Sequence, residues 1–417
     1  MTDREAATEA GLGQRAALIL FGAVAGWALW ALVDLWSVAG LDGRVFVAVF
    51  TLASVFFGVA LALVGPLSMP RAGAVAGALA LPLAGLMTWA SFRFEQPAQF
   101  LDNGPAVLMA GLIVLLATPF LAVAARGTDR VTEYAALFDA AWTITVRFAA
   151  AWVFVGGFWL VILMSDALLE LVGLDVIGAI LRPDWARFTV SGAVLGLGLA
   201  VAYELRDYVS PHLLLRLFRL LLPVLVAVVS VFLAALVVRG LSDLFGEISS
   251  AATLMGVALA AITLISTALD RDDADGVRTP GMKAAARILA LMLPVVAALA
   301  AWAVVLRVAQ YGWTPDRVQA AVAAGVILVY GLAYAAAALR GRGWRRRIRQ
   351  ANVWMAMMAL GVACLWLTPV LNPQRIAADD QAERFLSSRS ELSQLPVWQM
   401  QHDWGRAGQA ALARVEG

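Results

Sequence analysis

Cysteine, histidine and lysine are nearly missing from this 417-residue sequence, and charge of either sign is scarce. Cys364 is the one cysteine, which excludes an intrachain disulfide, a CxxC redox pair and a thiolate zinc cluster. The two histidines, His212 and His402, lie in polar segments far apart in the chain, so a His-based metal centre is not expected and no cofactor is assigned. Lysine occurs once, at Lys283, against 30 arginines, which we read as the bias of a GC-rich bacterial genome. Motifs are lacking too. No P-loop, Rossmann fingerprint, HExxH or GxSxG occurs in a supporting context, so neither an ATP-driven nor a hydrolytic role is expected of this chain. The net charge of +2 leaves no electrostatic footprint for nucleic acid.

What remains is apolar. Hydrophobic residues make up 62% and charged ones 14%, where a soluble domain carries about 25% charged. Mean hydropathy is +0.82. A hydrocarbon core roughly 30 Å thick needs about 20 apolar residues of helix to cross it. Eleven runs meet that need: 16–36, 45–64, 72–90, 106–125, 148–169, 188–203, 214–238, 248–269, 284–306, 318–339 and 351–370. Helix is the natural form, because every backbone polar group in lipid needs an internal partner. The expected class is an all-α, polytopic membrane bundle, with residues 1–15 before it and a polar tail from 372 to 417. The first run reads as a retained helix rather than a cleaved leader.

Positively charged loops stay in the cytoplasm, which gives each crossing a direction. Each Lys or Arg at a span start is counted with the loop it adjoins. The N-terminus and even-numbered loops then hold 19 of the 31, the odd-numbered loops 7 and the tail 5. The expectation is an N-terminus inside, a tail outside, and a bacterial inner (plasma) membrane as the location. The richest loop carries Arg340, Arg342, Arg345, Arg346, Arg347 and Arg349. Of these, Arg342, Arg345, Arg346, Arg347 and Arg349 are candidates to contact anionic lipid headgroups, beside their role in fixing topology. Tryptophans such as Trp27, Trp36, Trp89 and Trp366 fall near span ends, as interfacial anchoring favours. The spacings Gly22–Gly26, Gly73–Gly77 and Gly192–Gly196 permit close helix crossings.

Ionisable residues near span ends form the candidate outer polar site: Asp166, Glu170, Arg239, Glu247, Arg307, Tyr311, Asp316 and Arg317. One reading makes them the wall of an outward-facing cavity, with Arg239 and Arg307 set for an anionic group. The other makes them snorkelling side chains and loop salt bridges. Asp166 and Glu170 share a helix face, as a paired-carboxylate acid/base site requires. No nucleophile or metal-ligand set accompanies them, so a catalytic role is not assigned.

Thr314-Pro315 has the form of a helix start, Thr as cap and Pro at the first helical position, where its missing N–H costs nothing. The tail reads as one or two short amphipathic helices, broken around Ser387–Ser393 and Pro396. About 45 residues are too few for a robust separate core, so the tail is expected to pack on the membrane domain or on a partner.

Four stretches carry a resemblance: LRLFRLLLPVLVAV, LRVAQYGWTPDRV, LTPVLNPQRIAADDQAERFLSS and GRAGQAAL. In that order and spacing the chain resembles, from about Arg206 onward, a bacterial family of polytopic inner-membrane proteins known as domain of unknown function 4153. Where this chain has Asn372, the family tends to have an acidic residue. The resemblance implies a membrane bundle and supplies no activity. It places Arg307, Tyr311, Gly312, Thr314, Pro315, Asp316 and Arg317 in one family motif, which we read as a tight turn able to hold the tail through Asp379, Asp380 or Glu383. Two function classes stay open. The first is a non-enzymatic envelope scaffold or partner-binding protein. The second is a transporter or lipid-handling protein with an outward-facing polar cavity.

Overall fold

The computed structural model describes residues 3–102, 104–127, 130–204, 211–239, 248–389 and 392–416; the side chains of 3–12, 211–213, 239, 248–249 and 392 lie outside that description. No strand occurs among the described residues. Eleven helices among the described residues are long and apolar enough to cross a membrane, so the chain is a multi-pass membrane protein. The chain divides into two compact units, residues 1–91, 117–131 and 139–211 in the first, and 92–116, 132–138 and 212–417 in the second.

In the first unit, helices α1 (Asp3–Ser37), α2 (Gly43–Leu63) and α3 (Met69–Ser91) are followed, beyond the short α4 (Pro97–Asp102) of the second unit, by parts of α5 (Gly104–Arg126) and α6 (Tyr134–Glu170). Then come the short α7 (Val176–Leu181) and α8 (Asp184–Glu204). Two of the glycine spacings meet each other. A Cβ on Gly22 would overlap the carbonyl oxygen of Gly192, and one on Gly192 would overlap that of Gly22. Gly26 lies against Phe188 and Gly196 against Leu18 in the same way, so α1 and α8 cross backbone to backbone. The third spacing does not do this. Gly77 has open space around its Cβ position and Gly73 meets only the edge of Phe56, because both face away from a close neighbour.

The helix α6 begins at Tyr134, well before the expected start of the fifth span at 148. Asp139 and Arg147 break the hydropathy there without breaking the helix. Arg147 is buried, 5% exposed. Its Nη2 donates to the carbonyl of Val64 at 3.1 Å, at the C-terminal end of α2. Its guanidinium also stacks 5.2 Å from the Tyr203 ring centroid. A cation on those orphan carbonyls satisfies acceptors that lipid cannot.

The second unit is built around α10 (Ile248–Leu269), α11 (Pro280–Tyr311) and α12 (Pro315–Leu339), with α9 (Pro211–Arg239) and α13 (Trp344–Trp366) beside them. Its contact faces are rich in alanine. Ala258, Ala261, Ala286, Ala290, Ala297 and Ala300 are all buried, and small side chains let the helices close on one another. Five polar side chains interrupt this apolar core. Tyr330 and Tyr334 donate to Asn352 Oδ1 at 2.9 and 2.6 Å. Asn352 Nδ2 reaches Ser266 at 3.2 Å and Tyr134 at 3.4 Å, and Ser266 bonds Tyr334 at 2.9 Å. Each member is satisfied by the others, which is the condition for a buried polar network to hold rather than weaken a fold.

Arginines close one end of this unit. Arg349, 8% exposed, donates to the carbonyls of Leu269 (2.7 Å) and Asp270 (3.1 Å) and to Asp273 Oδ1 (2.8 Å). Arg219 donates to the carbonyl of Thr267 at 2.9 Å and pairs with buried Asp270. Arg345 pairs with Asp273 at 3.0 Å. Both Arg349 and Arg219 cap the C-terminus of α10, where the helix dipole favours a cation.

The tail forms three α-helices rather than one or two: α14 (Pro373–Leu386), α15 (Val397–His402) and α16 (Gly405–Glu416). Ala377, Ala378, Ala382, Leu395, Met400, Trp404 and Ala411 make a small core among them. Gly408 lets α16 lie on the carbonyl of Met400, a contact that the weakly apolar run GRAGQAAL hides from a hydropathy reading.

Candidate functional site

At the end of the second unit opposite those arginines, α11 turns into α12 through Gly312, Trp313 and Thr314. Gly312 has φ +73° and ψ −179°, a conformation that is essentially glycine's alone. Thr314 Oγ1 accepts from Arg317 N at 3.3 Å, so the Thr-Pro start works as a cap. Arg317 Nη1 donates to the carbonyls of Gly312 (2.7 Å) and Tyr311 (3.2 Å), which tie off the end of α11. The Arg307 and Arg317 guanidinium carbons lie 5.7 and 5.5 Å from the centroid of the Tyr311 ring. Three of the expected site residues are therefore gathered on one ring.

The tail is fastened to this turn. Asp380 Oδ2 accepts from Trp313 N at 2.8 Å. Gln381 Nε2 donates to the carbonyls of Tyr311 (3.0 Å) and Trp313 (2.9 Å). The Trp313 side chain packs against the tail's small core. Of Asp379, Asp380 and Glu383, the acids expected to hold the turn, Asp380 makes the backbone contact. Asp379 pairs with Arg414 at 2.5 Å and Arg375 at 3.6 Å, and Glu383 with Arg389 at 3.5 Å, all within the tail and exposed. A second tie runs through Arg93, which donates to the carbonyls of Trp366 (2.6 Å) and Thr368 (2.7 Å) and whose own carbonyl accepts from Arg406 N at 2.9 Å. Burial lowers the Arg93 guanidinium to about 10, so it remains a cation at neutral pH.

Beneath this docked tail lies a cavity of about 680 Å³, lined by residues of the second unit alone. Its polar lining includes Arg307, Arg317, Asp316, Gln374, Asp102, His402 and Asp403, and its apolar lining includes Ala251, Met255, Ala303, Val304, Trp366 and Trp404. The size falls within the roughly 300–1,000 Å³ of small-molecule sites. Two helix starts of similar form, those of α12 and α14, contribute to its lining. Asn372 Oδ1 caps α14 by accepting from Arg375 N at 3.2 Å, with Pro373 at the first position and Gln374 at the second. An aspartate would cap equally well at this position.

The remaining expected residues fall elsewhere. Asp166 and Glu170 belong to the first unit, where Asp166 Oδ1 accepts from Gly178 N at 2.9 Å and Glu170 is exposed at the end of α6. The Arg239 side chain and Glu247 lie outside the described residues. Of the five arginines considered for lipid headgroups, Arg349 is turned inward onto α10 and Arg345 is held by Asp273, since the orphan carbonyls there need donors. Arg342, Arg346 and Arg347 are exposed. Sequence reasoning missed Gln374, Asp102, Asp403 and Trp404. Gln374 had a usable signal in its cap motif, but the other three meet the site only through folding of the tail and of α4. No cluster of histidine, cysteine, aspartate or glutamate able to hold a metal occurs among the described residues.

No curated protein and no solved structure matches the chain. A family model described as Domain of unknown function (DUF4153) matches residues 35–400. Spanning nearly all of the helical bundle and most of the docked tail, that match makes this chain a member of the domain of unknown function 4153 family.

Proposed function

We propose that this protein is a non-enzymatic, lipid-handling binding protein of a bacterial inner membrane, with its N-terminus in the cytoplasm and its tail-capped cavity on the outer side. The observation that carries the reading is the cavity itself, polar at Arg307, the α12 start and the tail, and apolar at Ala251 and Met255 of α10 and Ala303 and Val304 of α11. An amphipathic lining suits a ligand with a charged head and an apolar body. The orientation rests on the arginine rhythm, which sets the Arg-rich loop inside and the turn end outside.

Depth argues for binding rather than passage. Ala303 is the deepest lining residue of α11, eight residues before its end at Tyr311, or roughly 12 Å at 1.5 Å per residue. Met255 lies a similar distance along α10. A pathway would need to continue through a hydrocarbon core of about 30 Å. Native mass spectrometry of the full chain in mild detergent tests the reading. Retained lipid, lost on delipidation and regained on addition, is the expected result; a chain that stays lipid-free under all conditions overturns it.

A scaffold role is the second reading, favoured by Trp398 and Leu386, which stand 62% and 60% exposed on the tail. It is distinguished in the same spectra, where a protein partner rather than lipid would remain attached.

A further inference from the structure

The buried polar atoms of cavity residues that make no hydrogen bond among the described residues include Gln374 Oε1, an acceptor, and Arg317 Nε, a donor. Gln374 is 4% exposed. A buried acceptor without a donor loses its hydration with nothing in return. Natural structures keep such a group where a water or a ligand completes it. Gln374 and Arg317 both line the cavity, so a ligand held there is in reach of these side chains.

The charges have an order. Arg307 and Arg317 are partly buried within the lining, whereas Asp102, Asp316 and Asp403 are exposed at its rim. A purely anionic ligand would pass three carboxylates to reach two guanidiniums. A purely cationic one would meet the guanidiniums at the inner end. A molecule with an anion inside and an ammonium outside meets complementary charge at both ends. The apolar wall of Met255, Ala303 and Val304 then continues from the head toward the helices.

We propose that this cavity is the headgroup site for an ammonium-bearing phosphate, its anionic oxygens toward Arg307 and Arg317 and its N–H donors toward Gln374 and the acidic rim. This rests on the lipid-handling reading above and adds the ligand's chemistry. The same headgroup chemistry has two sources, a membrane lipid or free phosphoethanolamine.

The test measures affinity of the purified full chain in detergent for dihexanoyl phosphatidylethanolamine, the phosphatidylglycerol of equal chain length, and phosphoethanolamine. The expected order places phosphatidylethanolamine at least fivefold tighter than phosphatidylglycerol. Phosphoethanolamine binding as tightly as the lipid would assign the site to the soluble headgroup; much weaker binding would assign it to the lipid, and both support the headgroup site. Gln374→Leu exchanges an unsatisfied amide for an apolar side chain, so the unliganded melting temperature should hold or rise. Affinity for phosphatidylethanolamine should fall roughly five- to tenfold, the worth of one hydrogen bond. The rim double variant Asp102→Asn with Asp403→Asn, at exposed positions, should erase the preference over phosphatidylglycerol. Equal affinity for the two lipids in the parent chain overturns the headgroup assignment alone, as does full affinity in Gln374→Leu. Absence of binding by all three probes overturns the lipid-handling reading with it.

Discussion

Asp380 is the clearest lever on the docked tail. Its carboxylate accepts from the Trp313 amide, while the neighbouring Gln381 spans two carbonyls of the same turn. A hydrogen bond to a charged group contributes about 1.5–3 kcal/mol, and leaving a buried N–H unpaired costs a similar amount. Asp380→Ala removes the acceptor and should lower the opening free energy of the tail by about 2 kcal/mol. Asp380→Asn keeps an acceptor oxygen and loses the charge, so its effect should be about half as large. Hydrogen exchange reads this directly, because the amides of α14 and α15 exchange through local opening. Exchange there should accelerate roughly 30-fold in Asp380→Ala and several-fold in Asp380→Asn, since 1.4 kcal/mol is a factor of ten. Amides of α10 should not change in either variant. Unaltered protection of α14 in Asp380→Ala would refute the reasoning, and equal effects in both variants would refute the role given to charge.

Gly312→Ala should be worse than either, because it meets a glycine-only conformation and places a Cβ against Asp380, Gln381 and Arg384; tail exchange should become fast throughout α14–α16. Asn352→Ala strands the hydroxyl of Tyr330, leaves Tyr334 and Ser266 only each other, and should cost about 2–4 kcal/mol in thermal or denaturant unfolding, against under about 1 kcal/mol for Tyr134→Phe, whose 3.4 Å bond is the longest of the set. Gly22→Leu should separate α1 from α8 and sharply reduce folded yield, whereas Gly77→Ala, with open space at its Cβ position, should melt like the parent. Arg349→Lys cannot reach Leu269, Asp270 and Asp273 together and should destabilise by about 1–3 kcal/mol in the same melts, while exposed Arg346→Ala should lie within about 0.5 kcal/mol.

Hydropathy alone located all eleven spans, because a membrane helix must be apolar along its whole length and that is a one-dimensional property. The Thr314-Pro315 start was legible for a related reason, since a cap is local in sequence. The crossing of Gly22 and Gly26 with Gly192 and Gly196 was half legible. Each spacing permits a close approach, but pairing these two, and leaving Gly73 and Gly77 without such a contact, depends on which faces meet. Arg147 and Arg349 were misleading in one dimension. Read as charges they belong to loops, yet folding places both on helix-end carbonyls, a partner no sequence window contains.

The candidate site divides along the same line. Arg307, Tyr311 and Arg317 lie within eleven residues, so local geometry suffices to set two guanidiniums on one ring. Asp166 and Glu170 were grouped with them by expected side of the membrane, and side is a far looser constraint than contact. The cavity could not be read from the chain, because its lining comes from α4, α5 and α10–α15, segments up to about 300 residues apart. What the sequence determined by itself is a multi-pass, arginine-rich, helical membrane chain with a tight capped turn. What the tertiary structure decided is that the tail folds onto that turn and leaves an amphipathic space beneath it, since long-range contacts, unlike hydropathy and capping, exist only once the helices are packed.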